Sequence, residues 1–371
     1  MRSQSRRLSA LVAVAVAVAL VGGACSKKTD TTADTGAGTS VGSVPAGATV
    51  DYSTLTGTLN GSGSTFQKAF DEEVIDALKT PAPNLTVNYA GGGSGKGKQD
   101  LADQVVDFAG SDSTEKPEDL TKNKGGGILY FPTVAGPITV SYNLQGVSKL
   151  QLSGPTVAKI FSTTVKTWND PAIAADNPGV TLPSTAIVVV HRSDGSGTTS
   201  NFTKFLKSAG GSDWTLDSGD TVNWASGTQA GNGNAGVAQT VKSTDGAIGY
   251  VDYSDAKASS LQFAAVKNKA GSFVAPSLEG ATAAVAGATI KPDLTYDPIN
   301  ADGATVYPIT SPTWIIVYQK QPDAAKGNNL KGFLNFTLTQ GQPLAAGVDF
   351  AALPASLQQQ AVAQLSQLQI G

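Results

Sequence analysis

The sequence predicts an α/β protein organised as two sheet domains, and three observations predict it. After residue 50, short β-branched runs alternate with segments whose apolar residues recur every three or four positions. That alternation argues a sheet flanked by helices in each domain. The length of 371 residues suits about two domains. Two proline steps read as crossings between the domains: Gly136-Pro137, which breaks a strand-like run, and Tyr307-Pro308.

Composition narrows the function. With 40% hydrophobic residues, the chain can bury a sizeable core. Charged residues make up only 15% and the net charge is −3, so any anion site must rest on local donors rather than on the overall field. No basic patch with interleaved aromatics points to nucleic acid. One Cys and one His exclude a Cys/His zinc site and an internal disulfide by arithmetic, and no cofactor motif survives inspection.

Arg2, Arg6 and Arg7 precede the apolar run Leu11 to Val21, as in a secretory signal. The run is shorter than the roughly 20 residues a bilayer span needs. It ends at Val21-Gly-Gly-Ala-Cys25, which resembles a bacterial lipoprotein signal, where the cysteine becomes the lipidated N-terminus. Gly22 stands where that family usually has Leu; the plainer alternative is a signal with an incidental Cys. The expectation is a signal peptide over 1–24, then Cys25 and a flexible tether to residue 50, rich in Thr, Ser, Gly and Ala and too poor in large apolar residues to fold.

Leu55 to Leu59 alternates and reads as the first strand; Asn60-Gly-Ser-Gly-Ser-Thr-Phe66 reads as a turn, and Phe66, Phe70, Val74 and Leu78 as a helix face. The third position of a dinucleotide fingerprint holds Phe66, so that reading fails and leaves a glycine turn, the Thr65 hydroxyl and a helix start. Leu85 to Tyr89 is the second strand. The loop from Gly92 to Gly97-Lys98 nearly scans as a P-loop, but Gln99 replaces the Mg²⁺-binding hydroxyl. Ser94 at a glycine-lined turn survives, with Lys96 and Lys98 read as solvated. Val105 to Ser111 is a short strand ending at Asp112, which on its own reads as a turn carboxylate.

Ile187-Val-Val-Val-His-Arg-Ser-Asp-Gly-Ser-Gly-Thr-Thr-Ser-Asn-Phe202 is the most informative stretch. A β-branched strand meets Arg192, Asp194 and Ser196 among glycines, and then Phe202, Phe205 and Leu206 at helical spacing. A strand, a glycine turn and a helix start form an anion trap, because the first helical N–H groups lack internal partners and the dipole is positive there. Arg192 adds a planar fork suited to tetrahedral oxyanions. In a strand His191 faces away from Arg192 and reads as structural. Gly-x-Ser-x-Gly fails because Asp194 occupies the first glycine position.

Beyond it, Gln229 to Gly236 leads into a short helix, Gly246 to Tyr253 is a strand, Leu278 to Val285 a helix, and Trp314 to Tyr318 a strand returning to the first domain. The last helix carries Leu357, Ala361, Val362, Leu365 and Leu368 on one side.

Together, Gly61-Ser-Gly-Ser-Thr-Phe66, Asn88-Tyr-Ala-Gly-Gly-Gly-Ser94, Val106-Asp-Phe-Ala-Gly-Ser-Asp112 and Arg192-Ser-Asp-Gly-Ser-Gly-Thr198 resemble the periplasmic phosphate-binding proteins of ABC phosphate transporters, the PstS-like members of the type II periplasmic-binding-protein family. The motifs run in the family's order and cover nearly all of the chain after the tether. The resemblance implies a two-lobed periplasmic-binding-protein fold, each lobe a central β-sheet flanked by helices, joined by crossing hinge strands. One lobe would be 51–136 with 309–371 and the other 137–308. It implies inorganic phosphate as ligand, with Thr65 and Ser94 giving hydroxyl and N–H, Phe66 its N–H, Arg192 its fork, and Ser196, Gly197 and Thr198 capping the anion. Asp112 would accept the hydrogen of protonated phosphate and Asp194 would pair with Arg192. Permease subunits would be the partner, and a lipid anchor on Cys25 would place the protein on the outer face of the cytoplasmic membrane. Gln67 stands where the family often has Pro, which removes no donor. The rival readings are another oxyanion such as sulfate, and a secreted phosphate-ester hydrolase, which a lone His serves poorly.

Overall fold

The structure, a computed structural model, describes residues 50–371. The signal segment, Cys25 and the tether up to residue 49 lie outside the described residues. Strand β1 (Gly57–Gly63) pairs in parallel with β2 (Leu85–Gly91) and β3 (Phe108–Ser111). Helices α1 (Lys68–Leu78) and α2 (Ser94–Ala102) are the crossovers. Phe70, Val74 and Leu78 form the buried side of α1, and Phe66 is buried in the turn before it. The expected turn at Asn60 comes later: pairing on both sides carries β1 on to Gly63. The third strand starts at Phe108 rather than Val105, whose side chain is exposed.

After the short α3 (Pro117–Leu120), β4 (Ile128–Tyr142) runs fifteen residues, all but its first two buried. A strand buried on both faces reads as one apolar run, as this one does. Gly136-Pro137 does not break it, contrary to the sequence reading. It marks instead where β4 changes partner. Residues up to Pro137 pair with β12 (Thr310–Tyr318), and Ile138 onward pairs with β8 (Ala247–Asp252). Pro137 brings no N–H, and the next donor, Ile138 N, is taken by Ile309 O at 2.7 Å.

Between these strands come β5 (Gln151–Leu152), α4 (Gly154–Phe161), α5 (Pro171–Asp176), β6 (Val188–Arg192), α6 (Gly197–Ala209), β7 (Gln229–Gly231) and α7 (Gly233–Ser243). Following β8 are α8 (Tyr253–Ala258), β9 (Gln262–Phe263), β10 (Ala265–Lys267), β11 (Phe273–Val274) and α9 (Leu278–Ala286). The chain closes with β13 (Lys320–Gln321), α10 (Ala324–Leu338), β14 (Ala351–Ala352), α11 (Ala355–Gln364) and β15 (Gln369–Ile370). The main sheet follows the order β2-β1-β3-β12-β4-β8-β6-β7. The α/β class is therefore as expected. The two parallel groups, β2-β1-β3 and β8-β6-β7, flank a central antiparallel pair, β12-β4, so one strand serves both halves. Phe161, Phe202, Tyr250 and Trp224 pack together on the second half.

One buried acid belongs to this packing. Asp71 on α1 is 1% exposed, and Gln67 Nε2 donates to both its oxygens at 3.2 and 3.0 Å. Burial pushes its carboxyl up to about 8, against the pull of the Gln67 hydrogen bond. The folded state then holds this proton more tightly than the unfolded chain. Stability is lost as pH rises between the unfolded and folded values, by about 1.4 kcal/mol per unit. Asp71→Asn keeps the shape without the titration. It is expected to raise Tm at a pH above 8, and to leave it nearly unchanged close to the ordinary carboxylate value, in thermal melts followed by circular dichroism.

Candidate functional site

Four strand-to-helix turns and the end of β3 meet where the two halves of the sheet face one another. Ligands of open α/β sheets bind at such carboxyl ends. Ser64 and Thr65 lie between β1 and α1, and Ser94 is the first residue of α2. Ser196 caps α6, accepting Thr199 N at 3.1 Å, and Gly197 and Thr198 open that helix. Asn234 is the second residue of α7. The N-terminal ends of α2, α6 and α7 point N–H groups that have no partner within their own helix, and positive dipole ends, at this place.

Asp112, just past β3, is the hub. It is 1% exposed. Ser94 Oγ donates to its Oδ1 at 3.0 Å, and Thr198 Oγ1, from the other half of the sheet, to its Oδ2 at 3.0 Å. Its own N–H donates to Ser94 Oγ at 3.2 Å, and its carbonyl accepts Asn201 Nδ2 at 2.6 Å. Burial raises its pKa, while the hydroxyls of Ser64, Ser94 and Thr198 and the charge of Arg192 draw it back. The turn-carboxylate reading is therefore wrong in its expectation of solvent.

Arg192 is 4% exposed at the end of β6. Its Nε donates to Asp194 Oδ1 at 2.8 Å, its Nη2 pairs with Asp194 Oδ2, and its Nη1 reaches Thr198 Oγ1 at 3.4 Å. Burial would raise Asp194, but the guanidinium outweighs it and holds the carboxyl below its usual range. Gly233 N also donates to Asp194, at 3.1 Å. Tyr250 Oη fixes the strand end by accepting Arg192 N at 3.0 Å.

Two glycines let the halves approach. Gly93 has φ +90°, and a Cβ there would sit 2.2 Å from Asp194 Oδ2. A Cβ on Gly197 would sit 2.6 Å from Ser94 Oγ and 2.7 Å from Asp112 Cγ. The halves are also joined by Gly95 N to Gly195 O at 2.9 Å, and by Lys98 Nζ to Asp220 at 2.8 Å. Lys98 is thus a half-buried bridge and not the solvated lysine expected; Lys96 stays exposed beside Asp100.

Of the residues singled out in the sequence, the structure brings Thr65, Ser94, Asp112, Arg192, Asp194, Gly197 and Thr198 into one neighbourhood. Phe66 differs in detail, because its N–H donates to Ser64 Oγ at 3.0 Å and its ring is buried in the core. Ser196 spends its oxygen on the helix cap. His191 stacks on Trp224 with ring centroids 4.9 Å apart, and burial lowers its pKa. Sequence reasoning missed Ser64, Asn201 and Asn234. The signal for Asn234 was present: it follows Gly233 at a helix start, the grammar that marked the other turns. A cavity of about 780 Å³ opens beside the site along Gly95, Lys98, Ser113 and Asp220, but none of Thr65, Ser94, Asp112 and Arg192 lines it. Among the described residues no cluster of three His, Cys, Asp or Glu could hold a metal, and no helix is long and apolar enough to cross a membrane.

A family model described as a PBP superfamily domain matches residues 30–340. The chain is 37% identical over 364 residues to phosphate-binding protein PstS 2 of Mycobacterium tuberculosis, covering 95% of this chain and 96% of that one. It is 36% identical over 325 residues to phosphate-binding protein PstS of Pasteurella multocida, covering 85% and 92%. Among solved structures, a high-affinity periplasmic phosphate-binding protein bound with phosphate superposes with a TM-score of 0.70 at 23% identity, covering 85% and 96%. A phosphate-binding protein from Stenotrophomonas maltophilia gives 0.65 at 22%, covering 83% and 93%. At such identities the structural likeness concerns the fold.

Proposed function

This chain belongs to the PstS phosphate-binding proteins of the PBP superfamily, and on that premise we propose that it is an extracytoplasmic receptor for inorganic phosphate that delivers the ion to an ABC-transporter permease. The observation that carries the reading is Asp112, a buried carboxylate ringed by donors from both halves of the sheet. Most of the ring suits any tetrahedral oxyanion: the hydroxyls of Thr65, Ser94 and Thr198, the N–H groups at the helix starts, and Arg192 held in register by Asp194. Asp112 makes the site choose. At neutral pH phosphate still carries a proton and sulfate does not. Phosphate can donate to Asp112, whereas sulfate would face it as a second dehydrated anion.

In this reading 51–136 with 309–371 is one lobe and 137–308 the other, hinged where β4 and β12 pair at the change of partner. Closure brings Thr198 and Arg192 over an anion seated on Thr65 and Ser94, and opening releases it. The mechanism is binding without turnover, because the single imidazole, His191, is stacked on Trp224 and serves no nucleophile. A lipid on Cys25 would hold the protein at the outer face of the cytoplasmic membrane, with the tether giving it reach to the permease. Calorimetric titration with phosphate and sulfate tests the reading. Saturable phosphate binding, with sulfate weaker by orders of magnitude and no release of nitrophenol from nitrophenyl phosphate, is the expected result; preference for sulfate, or ester turnover, would overturn it.

A further inference from the structure

We propose that Asn234 is a positioning residue that turns the hydroxyls of Thr65 and Thr198 into obligate donors, and that it does so for Thr65 only when the two lobes are together. The inference rests on the phosphate reading above and goes beyond its set of anion donors. Asn234 is fully buried at the start of α7. Its backbone N–H and its Nδ2 both donate to Thr65 Oγ1, each at 3.2 Å. The same Nδ2 reaches Thr198 Oγ1 at 3.3 Å. Its Oδ1 accepts Asp252 N at 3.4 Å, which sets the amide's orientation so that the NH₂ end faces the two threonines.

A hydroxyl has two acceptor sites and one hydrogen. At Thr65 both acceptor sites are taken by Asn234. At Thr198 one is taken by Asn234 and the other by Arg192 Nη1 at 3.4 Å. Neither oxygen can then accept from a ligand, and each hydrogen is left to be given. Thr198 gives its hydrogen to Asp112 Oδ2 here. The hydrogen of Thr65 has no protein acceptor among the described residues. With Thr65 and Thr198 removed as acceptors, the charged carboxylate of Asp112 becomes the strongest acceptor left for a ligand proton, and this sharpens its proton reading. Thr65 belongs to the first lobe and Asn234, Thr198 and Arg192 to the second, so Thr198 is oriented within its own lobe and Thr65 is oriented on closure.

Asn234→Asp keeps the shape and the bond from Asp252 N, but its carboxylate would take the two hydroxyl hydrogens and repel the anion. Asn234→Ala frees lone pairs on both hydroxyls without adding charge, so they can accept from a second P–OH. The test is calorimetric titration of the wild-type protein and both variants with inorganic phosphate, at one pH where the dianion dominates and one where the monoanion does. Thermal melts confirm that each variant is folded. Asp112, Arg192, Asp194 and Asp252 are the charged groups near the amide; Asn234→Ala adds no charge beside them, so the comparison of the two pH values is made between wild type and that variant. Asn234→Asp is expected to weaken binding at least about 100-fold. Asn234→Ala should lose about 10-fold for the dianion and distinctly less for the monoanion. Equal weakening at both pH values, or an Asn234→Asp variant that binds like wild type, would overturn the orienting role while leaving phosphate binding intact. A wild-type protein that takes up no phosphate would instead remove the reading on which this one rests.

Discussion

Arg192→Ala is expected to weaken phosphate binding by roughly 10²–10³-fold, the largest single loss in the site. The loss has two parts. The anion loses a planar fork of charged donors that is itself buried and so little screened. Asp194 loses the partner that keeps it ionised at low cost, and its carboxylate is then left beside the anion with only backbone N–H groups, those of Gly233 and of Asp194 itself, to hold it. The second part predicts a non-additive pair. Arg192→Ala with Asp194→Ala should bind phosphate more tightly than Arg192→Ala alone, because it removes the stranded charge. Titration of wild type, both single variants and the double variant measures the coupling. A double variant that binds as poorly as the sum of the single losses would mean that Asp194 acts independently of Arg192.

Asp112→Asn is expected to act on choice more than on strength. The amide offers an N–H where the carboxylate offered only acceptors, so sulfate can be satisfied there and a protonated phosphate oxygen loses its strongest acceptor. Sites that depend on one such buried bond discriminate by roughly 10⁴–10⁵. The phosphate-over-sulfate ratio should therefore fall by about two orders of magnitude or more, with phosphate weakened and sulfate gained. Ser94 and Thr198, both of which donate to Asp112, need only turn one hydroxyl to suit the amide, so folding should survive. The same logic gives a pH sign. Burial raises the pKa of Asp112, so its acceptor role is present above that value and is lost as pH falls through it. Discrimination in the wild-type protein should decline on acidification, whereas that of Asp112→Asn should not share the decline.

What could be read in the chain beforehand divides by range. The turns around Thr65, Ser94 and Thr198 were legible because each is local: glycines, a hydroxyl and apolar residues at helical spacing lie within a dozen positions. The α/β class follows from the same local periodicities. Asp112 was different. Its residue type and neighbours describe an ordinary turn, and its burial comes from Thr198 and Asn201, which are 86 and 89 positions away. Only the likeness to a known family gave it a role from sequence. Lys98 misled for a related reason, since Asp220, which draws it into the interface, is 122 positions distant. Gly136-Pro137 looked like a break because proline cannot donate to a ladder. The strand runs through it because two different neighbours meet there. Asn234 was legible as a helix start but not as a partner of the site, because Thr65 and Thr198, to which it donates, are 169 and 36 positions away.

In the proposed function, turns distant in sequence converge on one small dianion. Diffraction from crystals of the protein grown with phosphate tests it most directly. The account predicts tetrahedral density within hydrogen-bond reach of Thr65 Oγ1, Ser94 Oγ, the Arg192 guanidinium and Asp112, with one short oxygen–oxygen contact to the carboxylate. Density elsewhere, in the neighbouring cavity along Lys98 and Asp220 for instance, or an Asp112 turned away from it, would contradict the account.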